Sequence, residues 1–560
     1  MRRTAAAPRI VKSKPAVATL GDEASPATLV WDLSSCQAGI LGGILLATLA
    51  MYLPSLRNGW VFDDFSEVVN NKLIGSGSFF WKSFIYDGWW FRNPKQLPQS
   101  AYYRPLQNVW FWLNFHLLGV NPVGWHLEKI VLHLVAVVLC FRVAQMLTRS
   151  NAVALLTAAI FGLMPAHVEG VVWMSAIPEP LSTVFELAAI LCLIGRKPGW
   201  SRGMLSSLGF YACALLTHET SILFPLIVGS YVFLIERGSD RQAPDRNSET
   251  FAQRCIAAAR VAVPFGLLVI AYLAVRLQVL GWNLAFRIPH PLTMGVIQGW
   301  QFEVPTHRAT DFIMTWPVVM LSYLAVLAVP GIAGPAHDVN WIEHVSPSTF
   351  ASAGVLAILA AIAWLLIRRS PDRRLYLFCA AWSALTLAPT MQLNSLWALV
   401  QDRYLYAPSF GWSLALAVVV TRWAASSPRA RATVAAATAA LLAAYMVTAI
   451  RIEPYWHDDV TFFGQCVADD PPHPGNRLLL VSALNKTGDY AGAVGVLQRA
   501  LVLDPDDAHL HLRLAQQYQM MGRQLDFVRE FQKFNELSAA RLERARAAQS
   551  SGASQPGGGP

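Results

Sequence analysis

Two adjacent carboxylates follow the first apolar segment of the chain. The segment covers residues 37–54, which is long enough to cross a bilayer, and Asp63 and Asp64 come shortly after it, in the run Gly-Trp-Val-Phe-Asp-Asp-Phe of residues 59–65. An acid pair at the mouth of a membrane span can deprotonate a hydroxyl nucleophile or hold a metal ion. The simpler alternative is that both carboxylates are solvated side chains of a polar loop.

Other polar side chains beside apolar segments could complete such a site. Arginine suits a phosphate leaving group because its cation neutralises the developing charge, although each arginine could instead anchor a helix end. His167 and Glu169 could hydrogen-bond the site or complete a metal shell with Asp64. Mg or Mn fits these ligands by hardness, but no ligand spacing requires either ion, so the cofactor stays unassigned. The candidate binding residues are Tyr103, Arg104, His167, Glu169, His218, Glu219, Arg276 and Arg403.

The composition defines a polytopic membrane protein. Of the 560 residues, 54% are hydrophobic and 14% are charged, against about 25% charged in ordinary soluble domains. The net charge of +9 does not indicate nucleic acid, because the basic residues cluster in short loops between apolar segments. The seven cysteines include no CxxC pair, which argues against a disulfide framework and a zinc site.

The basic loops predict an orientation. Placing them all in the cytosol satisfies the positive-inside rule and puts the loops that carry the candidate residues on the outer side of the membrane. The sequence has twelve apolar segments, but only about eleven crossings keep every basic loop inside, and 311–330 is the segment least suited to a full crossing. Residues 1–35 are then a disordered cytosolic tail, and the membrane domain covers 36–451.

The chain changes character after Arg451. Pro471 and Pro505 are 34 residues apart, which is the tetratricopeptide period, and small and bulky residues of that pattern lie between them. We therefore expect an all-α architecture, in which a short α-solenoid over 452–548 follows the membrane helices. Its roughly two and a half repeats are fewer than the three that usually stand alone. Residues 549–560 are expected to form a disordered tail.

In order, these motifs resemble those of the transmembrane and tetratricopeptide-repeat O-mannosyltransferases and their bacterial relatives, of the GT-C class. The matching motifs are Asp63-Asp64, Tyr-Arg-Pro-Leu at 103–106, a partial match at 163–171, His-Glu-Thr at 218–220 with His in place of Lys, and Asp-Arg-Tyr-Leu-Tyr-Ala-Pro-Ser at 402–409. Residues 177–180, Ile-Pro-Glu-Pro, depart from the family, whose members carry Arg, Lys or Asn followed by an acid.

The resemblance implies transfer of a sugar, with mannose as one candidate, from a polyprenyl-phosphate carrier to a protein or glycan hydroxyl. Single displacement with inversion is expected, with Asp64 favoured over Asp63 as the base. The repeats would recruit the acceptor. Two alternatives come from other classes: a non-catalytic scaffold anchored by its membrane helices, and a transporter. A scaffold has no need for acids and arginines on one face, and a transporter would show charges deep in its spans.

Overall fold

The computed structural model describes residues 33–552, except 96–97, 195–199, 237–249, 286–293, 298–299, 304–308, 392–397 and 472. Most of the tail predicted over 1–35 and part of that over 549–560 lie outside the described residues. The described chain is almost entirely helical, which confirms the all-α expectation. Its strands form one small antiparallel hairpin of β1 (Met294–Ile297) and β2 (Trp300–Glu303).

The helices follow in chain order. Those of the membrane region are α1 (Ser35–Tyr52), α2 (Gly77–Lys82), α3 (Pro105–Leu118), α4 (Pro122–Thr148), α5 (Asn151–Gly162), α6 (Val168–Val172), α7 (Pro178–Leu193), α8 (Arg202–Thr217), α9 (Phe224–Tyr231), α10 (Phe251–Ala285), α11 (Ala309–Ala328), α12 (Pro347–Ile367), α13 (Arg373–Leu387), α14 (Pro408–Ala424) and α15 (Pro428–Ile452). Those of the repeat region are α16 (Asp459–Asp469), α17 (Pro474–Thr487), α18 (Tyr490–Leu503), α19 (Ala508–Met520) and α20 (Gln524–Gly552).

Helix starts follow local chemistry. Ser34 caps α1 together with Gln37 in a capping box, and Asn121 caps α4 through the amide of Val123. Proline occupies the first turn of α7. A backbone N–H at this position has no acceptor within the helix, so its replacement by proline removes no helical hydrogen bond. The prolines at 178 and 180, which depart from the family pattern, therefore begin a helix and leave its geometry regular.

Eight helices in the described chain are long and apolar enough to cross a membrane, and α5 with the bent segment after it would make a ninth. Helices α8, α13 and α14 are shorter, at 16, 15 and 17 residues. Length and composition therefore leave the expected eleven crossings as a prediction. Helix α12 has no residue buried within the protein, so its apolar surface is left for lipid.

Helix α11 coincides with the segment that is expected not to cross fully. Its length and hydropathy qualify it as a span. Helix α11 packs against α12, and two of its side chains also form hydrogen bonds with other segments: Thr315 Oγ1 accepts from the Ile342 amide, and the Tyr323 hydroxyl donates to the Leu399 carbonyl oxygen. Its incomplete crossing stays a prediction.

The core forms where helices approach closely. Helices α13 and α14 touch backbone to backbone at Gly411, where a Cβ atom would clash with the carbonyl oxygen of Cys379. In the repeat region, α17–α18 and α19–α20 pack as consecutive helix pairs, and Gly488 ends α17 with a φ of +80°. Helix α16 precedes these pairs and joins them to the end of the membrane region.

Candidate active site

Asp64 is the most tightly held member of the acid pair. One carboxylate oxygen accepts from the amide of Val61 at 3.0 Å, and the other accepts from the amide and hydroxyl of Ser175 at 2.9 and 2.6 Å. Burial raises the pKa of Asp64 to about 7, although these hydrogen bonds act in the opposite direction. Asp64 therefore fastens the loop that follows α1 to the turn that precedes α7.

Asp63 is the accessible member of the pair. Its side chain is 19% exposed and lies 3.6 Å from the guanidinium of Arg92, whereas Asp64 is buried. Burial raises the pKa of Asp63 to about 6, against the lowering effect of Arg92 and Arg403. Glu67 lies close by and accepts from the Gln107 amide at 3.0 Å. The acid pair thus divides into a buried anchor and a reachable carboxylate.

Arg403 joins two buried carboxylates beside this loop. Its guanidinium pairs with Glu169 through Nη1 and with Glu179 through Nε at 3.2 Å, and its backbone amide donates to Glu169 at 3.0 Å. The cation also lies over the rings of Trp173 and Tyr404, 5.0 Å from each centroid. Glu169 and Glu179 are therefore the carboxylate partners of Arg403.

His218, Glu219 and Arg104 extend the cluster. Glu219 takes a two-pronged ion pair from Arg104, with N–O distances of 2.7 and 2.9 Å. His218 Nε2 lies 3.9 Å from the Glu179 carboxylate. The motifs around residues 104, 169, 218 and 403, which are far apart in sequence, therefore meet on one face of the membrane region.

A polar cavity of about 310 Å³, including its mouth, opens beneath Arg403. Two of its carboxylates, Glu179 and Glu186, each keep one oxygen without a hydrogen-bond partner in the described chain. Its other polar lining residues are Ser182, Thr183, His218, Thr220, Thr386, Thr390, Arg403 and Tyr404. Carboxylates and hydroxyls at this density suit a ligand with several hydroxyl groups, because each can exchange hydrogen bonds with it.

The remaining candidates hold the fold. His167 is buried against Ser409 at 2.7 Å. Arg276 donates to the Ala101 carbonyl oxygen at 2.8 Å, and the Tyr103 hydroxyl donates to the Phe84 carbonyl oxygen at 2.8 Å. None of these contacts reaches the acid pair.

The positions of Asp64, His167 and Glu169 test the metal site that the sequence suggested. The contacts of His167 are with Ser409 and neighbouring rings, so the shell considered from sequence, of Asp64, His167 and Glu169, does not form. Among the described residues, no group of three or more His, Cys, Asp or Glu side chains could hold a metal ion. The described residues therefore offer no site with three or more such ligands, and no chemical step is assigned to a metal.

Four residues at the site escaped the sequence analysis: Arg92, Ser175, Glu179 and Glu186. Glu179 stands where relatives carry an acid, but the prolines on both sides of it make the segment differ from the family pattern. Arg92 and Ser175 lie in unremarkable segments, and only the folded loop brings them to Asp63 and Asp64.

The fold and the site define a multi-pass helical membrane protein that carries a polar cluster on one face and ends in tetratricopeptide repeats. A family model described as a TPR repeat matches residues 482–522. The chain is similar to proteins that are named protein O-mannosyl-transferases. The chain is 31% identical to TMTC1 of Homo sapiens over 198 residues, which cover 33% of this chain and 22% of that protein.

A second relative aligns over much more of the chain. Tmtc3 of Drosophila melanogaster is 23% identical over 544 residues, covering 86% of this chain and 57% of the fly protein. A relative from Caenorhabditis elegans is 29% identical over 164 residues, 28% of this chain and 24% of that protein. The chain thus spans about half the length of the fly relative and about a quarter of the others. These matches confirm the resemblance to transmembrane and tetratricopeptide-repeat O-mannosyltransferases.

The crystal structure of ArnT from Cupriavidus metallidurans bound to undecaprenyl phosphate covers 90% of this chain and 78% of its own at 14% identity. The TM-score of that superposition is 0.40.

Proposed function

We propose that this protein is an integral-membrane glycosyltransferase that moves a sugar from a polyprenyl-phosphate carrier to a hydroxyl acceptor. The observation that carries the proposal is that a reachable carboxylate, Asp63, lies within electrostatic range of Arg403, an arginine that lines a hydroxyl-rich cavity. The relatives' names add the class of sugar, mannose, and the class of linkage, to oxygen.

The polar cavity and an adjacent, mostly apolar pocket fit the two ends of such a donor. Beside the polar cavity lies a second pocket of about 440 Å³ that shares Thr390 and Tyr404 with it. Its other walls are mostly apolar and include Phe312, Trp316, Val319, Trp341, Met391 and Leu399. An isoprenoid chain would be buried against these apolar walls, while its sugar would exchange hydrogen bonds with the polar cavity.

The proposed reaction is a single displacement. The acceptor oxygen attacks the anomeric carbon, the bond from that carbon to the phosphate oxygen breaks, and the acceptor proton passes to Asp63. A carboxylate whose pKa is raised to about 6 by burial is suited to this role, because general bases work best near the operating pH. We assign the base to Asp63, the accessible acid, and the anchoring role to Asp64, which reverses the preference from sequence order.

Arg403 would stabilise the departing carrier phosphate. Its Nε and Nη1 atoms are engaged by Glu179 and Glu169, which fix the plane of the guanidinium and leave Nη2 to donate to a phosphate oxygen. Inversion at the anomeric carbon follows from one attack without a covalent intermediate. The repeats would present the protein or glycan acceptor to this site.

We further propose that the site and the repeats lie on the periplasmic side of a bacterial inner membrane. The support is the arginine distribution, which places the basic loops on the opposite side. Alkaline phosphatase fused after Gln549 should be active, while the same reporter fused after Arg369 should be inactive. An active cytosolic fluorescent reporter at Gln549 would show that the topology is inverted.

The direct test uses purified protein in lipid with polyprenyl-phosphate sugars that differ only in the sugar. The expected result is release of free polyprenyl phosphate with a matching mass gain on a serine- and threonine-containing acceptor peptide. Mass spectrometry of envelope glycoproteins and glycans from a deletion strain would identify the natural acceptor. Absence of transfer with every donor, together with unchanged glycans, would favour the scaffold alternative.

A further inference from the structure

The backbone just before the acid pair has an unusual conformation. Phe62 has a φ of +53°, and the only other residue besides glycine with a positive φ in the described chain is Arg149. A bulky side chain rarely adopts this left-handed conformation, because its Cβ crowds the backbone. The turn that delivers Asp63 and Asp64 therefore needs contacts from elsewhere to hold it.

Those contacts come from the start of the repeat region. The Phe62 amide donates to Asp459 Oδ1, in the first turn of α16, at 2.7 Å. The Phe62 ring meets the Phe463 ring edge-on, with centroids 5.3 Å apart. The Gly59 amide donates to the His457 carbonyl oxygen at 2.9 Å, and a Cβ at Gly59 would lie only 3.3 Å from that oxygen.

A second repeat helix holds the other side of the acid pair. The ammonium group of Lys486, in α17, lies 3.0 Å from Asp459 Oδ2 and 5.1 Å from the centre of the Phe65 ring. Phe62 precedes the acids and Phe65 follows them. The two repeat residues, Asp459 and Lys486, thus hold the loop on both sides of Asp63 and Asp64.

We propose that Asp459 and Lys486 are positioning residues, through which the repeat region sets the geometry of the acid pair. The proposal rests on the transferase function proposed above. The Phe62 turn keeps its left-handed conformation because Asp459 accepts a hydrogen bond from the Phe62 amide. Lys486 in turn holds the Asp459 carboxylate in place through their ion pair. A ligand that displaced α16 and α17 would then alter turnover without touching the sugar donor.

The test compares Asp459→Ala with Asp459→Asn in the full-length protein in lipid. Alanine removes the acceptor for the Phe62 amide, whereas asparagine keeps an oxygen in the same place. We expect Asp459→Ala to lower kcat by about ten- to a hundredfold, as misplaced reacting groups do, with donor KM within about twofold of the parent. Asp459→Asn should retain most of the parent kcat.

A second readout does not depend on catalysis. Hydrogen–deuterium exchange of peptides covering residues 59–65 should be faster in Asp459→Ala than in the parent, because the Phe62 amide loses its acceptor. Lys486→Met should show a smaller change in the same direction. Asp526→Ala is the matched control, since Asp526 pairs with Arg523 elsewhere in the repeats at 2.6 Å, and it should match the parent in both assays.

Three results would overturn the proposal. The first is unchanged exchange in Asp459→Ala. The second is faster exchange with an unchanged kcat. The third is an equal loss of kcat in Asp459→Asn and Asp459→Ala, which would assign the effect to charge. A parent chain that transfers no sugar would instead refute the proposed function and the catalytic part of this inference, while the exchange comparison would still decide whether the repeats hold the turn.

Discussion

The polar residues around the candidate site divide into two groups that differ in their partners. The fastening group consists of pairs that join distant elements: Arg104 with Glu219, His167 with Ser409, and Asp402 with His337. The cavity group consists of Asp63, Glu179, Glu186, His218 and Arg403, which line or border open space. Glu179 and Glu186 each retain an oxygen without a hydrogen-bond partner in the described chain.

The difference shows that motif membership does not define a role. Arg104 and Arg403 are both paired arginines of matched motifs, but Arg104 is engaged by one carboxylate, Glu219, while Arg403 is held by Glu169 and Glu179 and also lines the cavity. Buried polar groups are costly unless they are paired, so the oxygens of Glu179 and Glu186 that lack a partner in the described chain indicate room for a ligand. Four substitutions test this division.

The largest expected effect is on stability, in the fastening group. Glu219→Gln should destabilise the protein by about 3–5 kcal/mol, because it leaves the Arg104 cation without its counter-charge in a largely buried position. Thermal unfolding in detergent measures this, and kcat per folded molecule should be unchanged. The double variant Arg104→Met with Glu219→Met should recover part of the loss. A raised donor KM with unchanged unfolding would move Arg104 into the cavity group.

The next effect is on the chemical step. Asp63→Asn should lower kcat by about a hundredfold or more, the size of a general-base contribution, with unfolding temperature unchanged. Asp338→Asn is a matched control, since Asp338 is an exposed acid of the loop between α11 and α12 that accepts a hydrogen bond from Asn340. An inactive Asp64→Asn beside a normal Asp63→Asn would assign the base to Asp64. Full activity in both variants would refute the catalytic interpretation.

Arg403 should give an intermediate effect on donor use. Arg403→Lys keeps the charge but loses the planar fork, so donor KM should rise by about tenfold while the protein stays folded. Arg422→Lys, on the opposite face beside Asp372, is the matched control and should behave like the parent. A fall in unfolding temperature with unchanged donor KM would place Arg403 in the fastening group.

The smallest effect concerns pH. Asp63 must be ionised to act as a base, so activity should fall as the pH drops through about 6, the pKa to which burial raises this group. Arg92 lowers that pKa. Arg92→Gln should therefore move the acidic limb of the kcat profile to higher pH, with little change on the plateau. If the acidic limb of the kcat profile stays at the same pH in Arg92→Gln, the ionisation of Asp63 does not control that limb.

The helical class and the repeats could be predicted from local pattern, because apolar length, helix caps and the 34-residue period are properties of neighbouring residues. The roles of the individual residues within the site could not be predicted in this way. His167 and Glu169 were expected to act together, but residues two apart in a helical turn face different sides. His167 packs inward on Ser409, and Glu169 reaches Arg403.

Sequence alone thus determined that this is a helical membrane protein whose acids and arginines lie at the ends of its spans, and that repeats follow. Only the tertiary structure decided which of those charges pair, because pairing depends on how helices distant in the chain cross and turn. The same reason explains Glu179, Ser175 and Asp459: each acts on a residue more than a hundred positions away, beyond the reach of any local pattern.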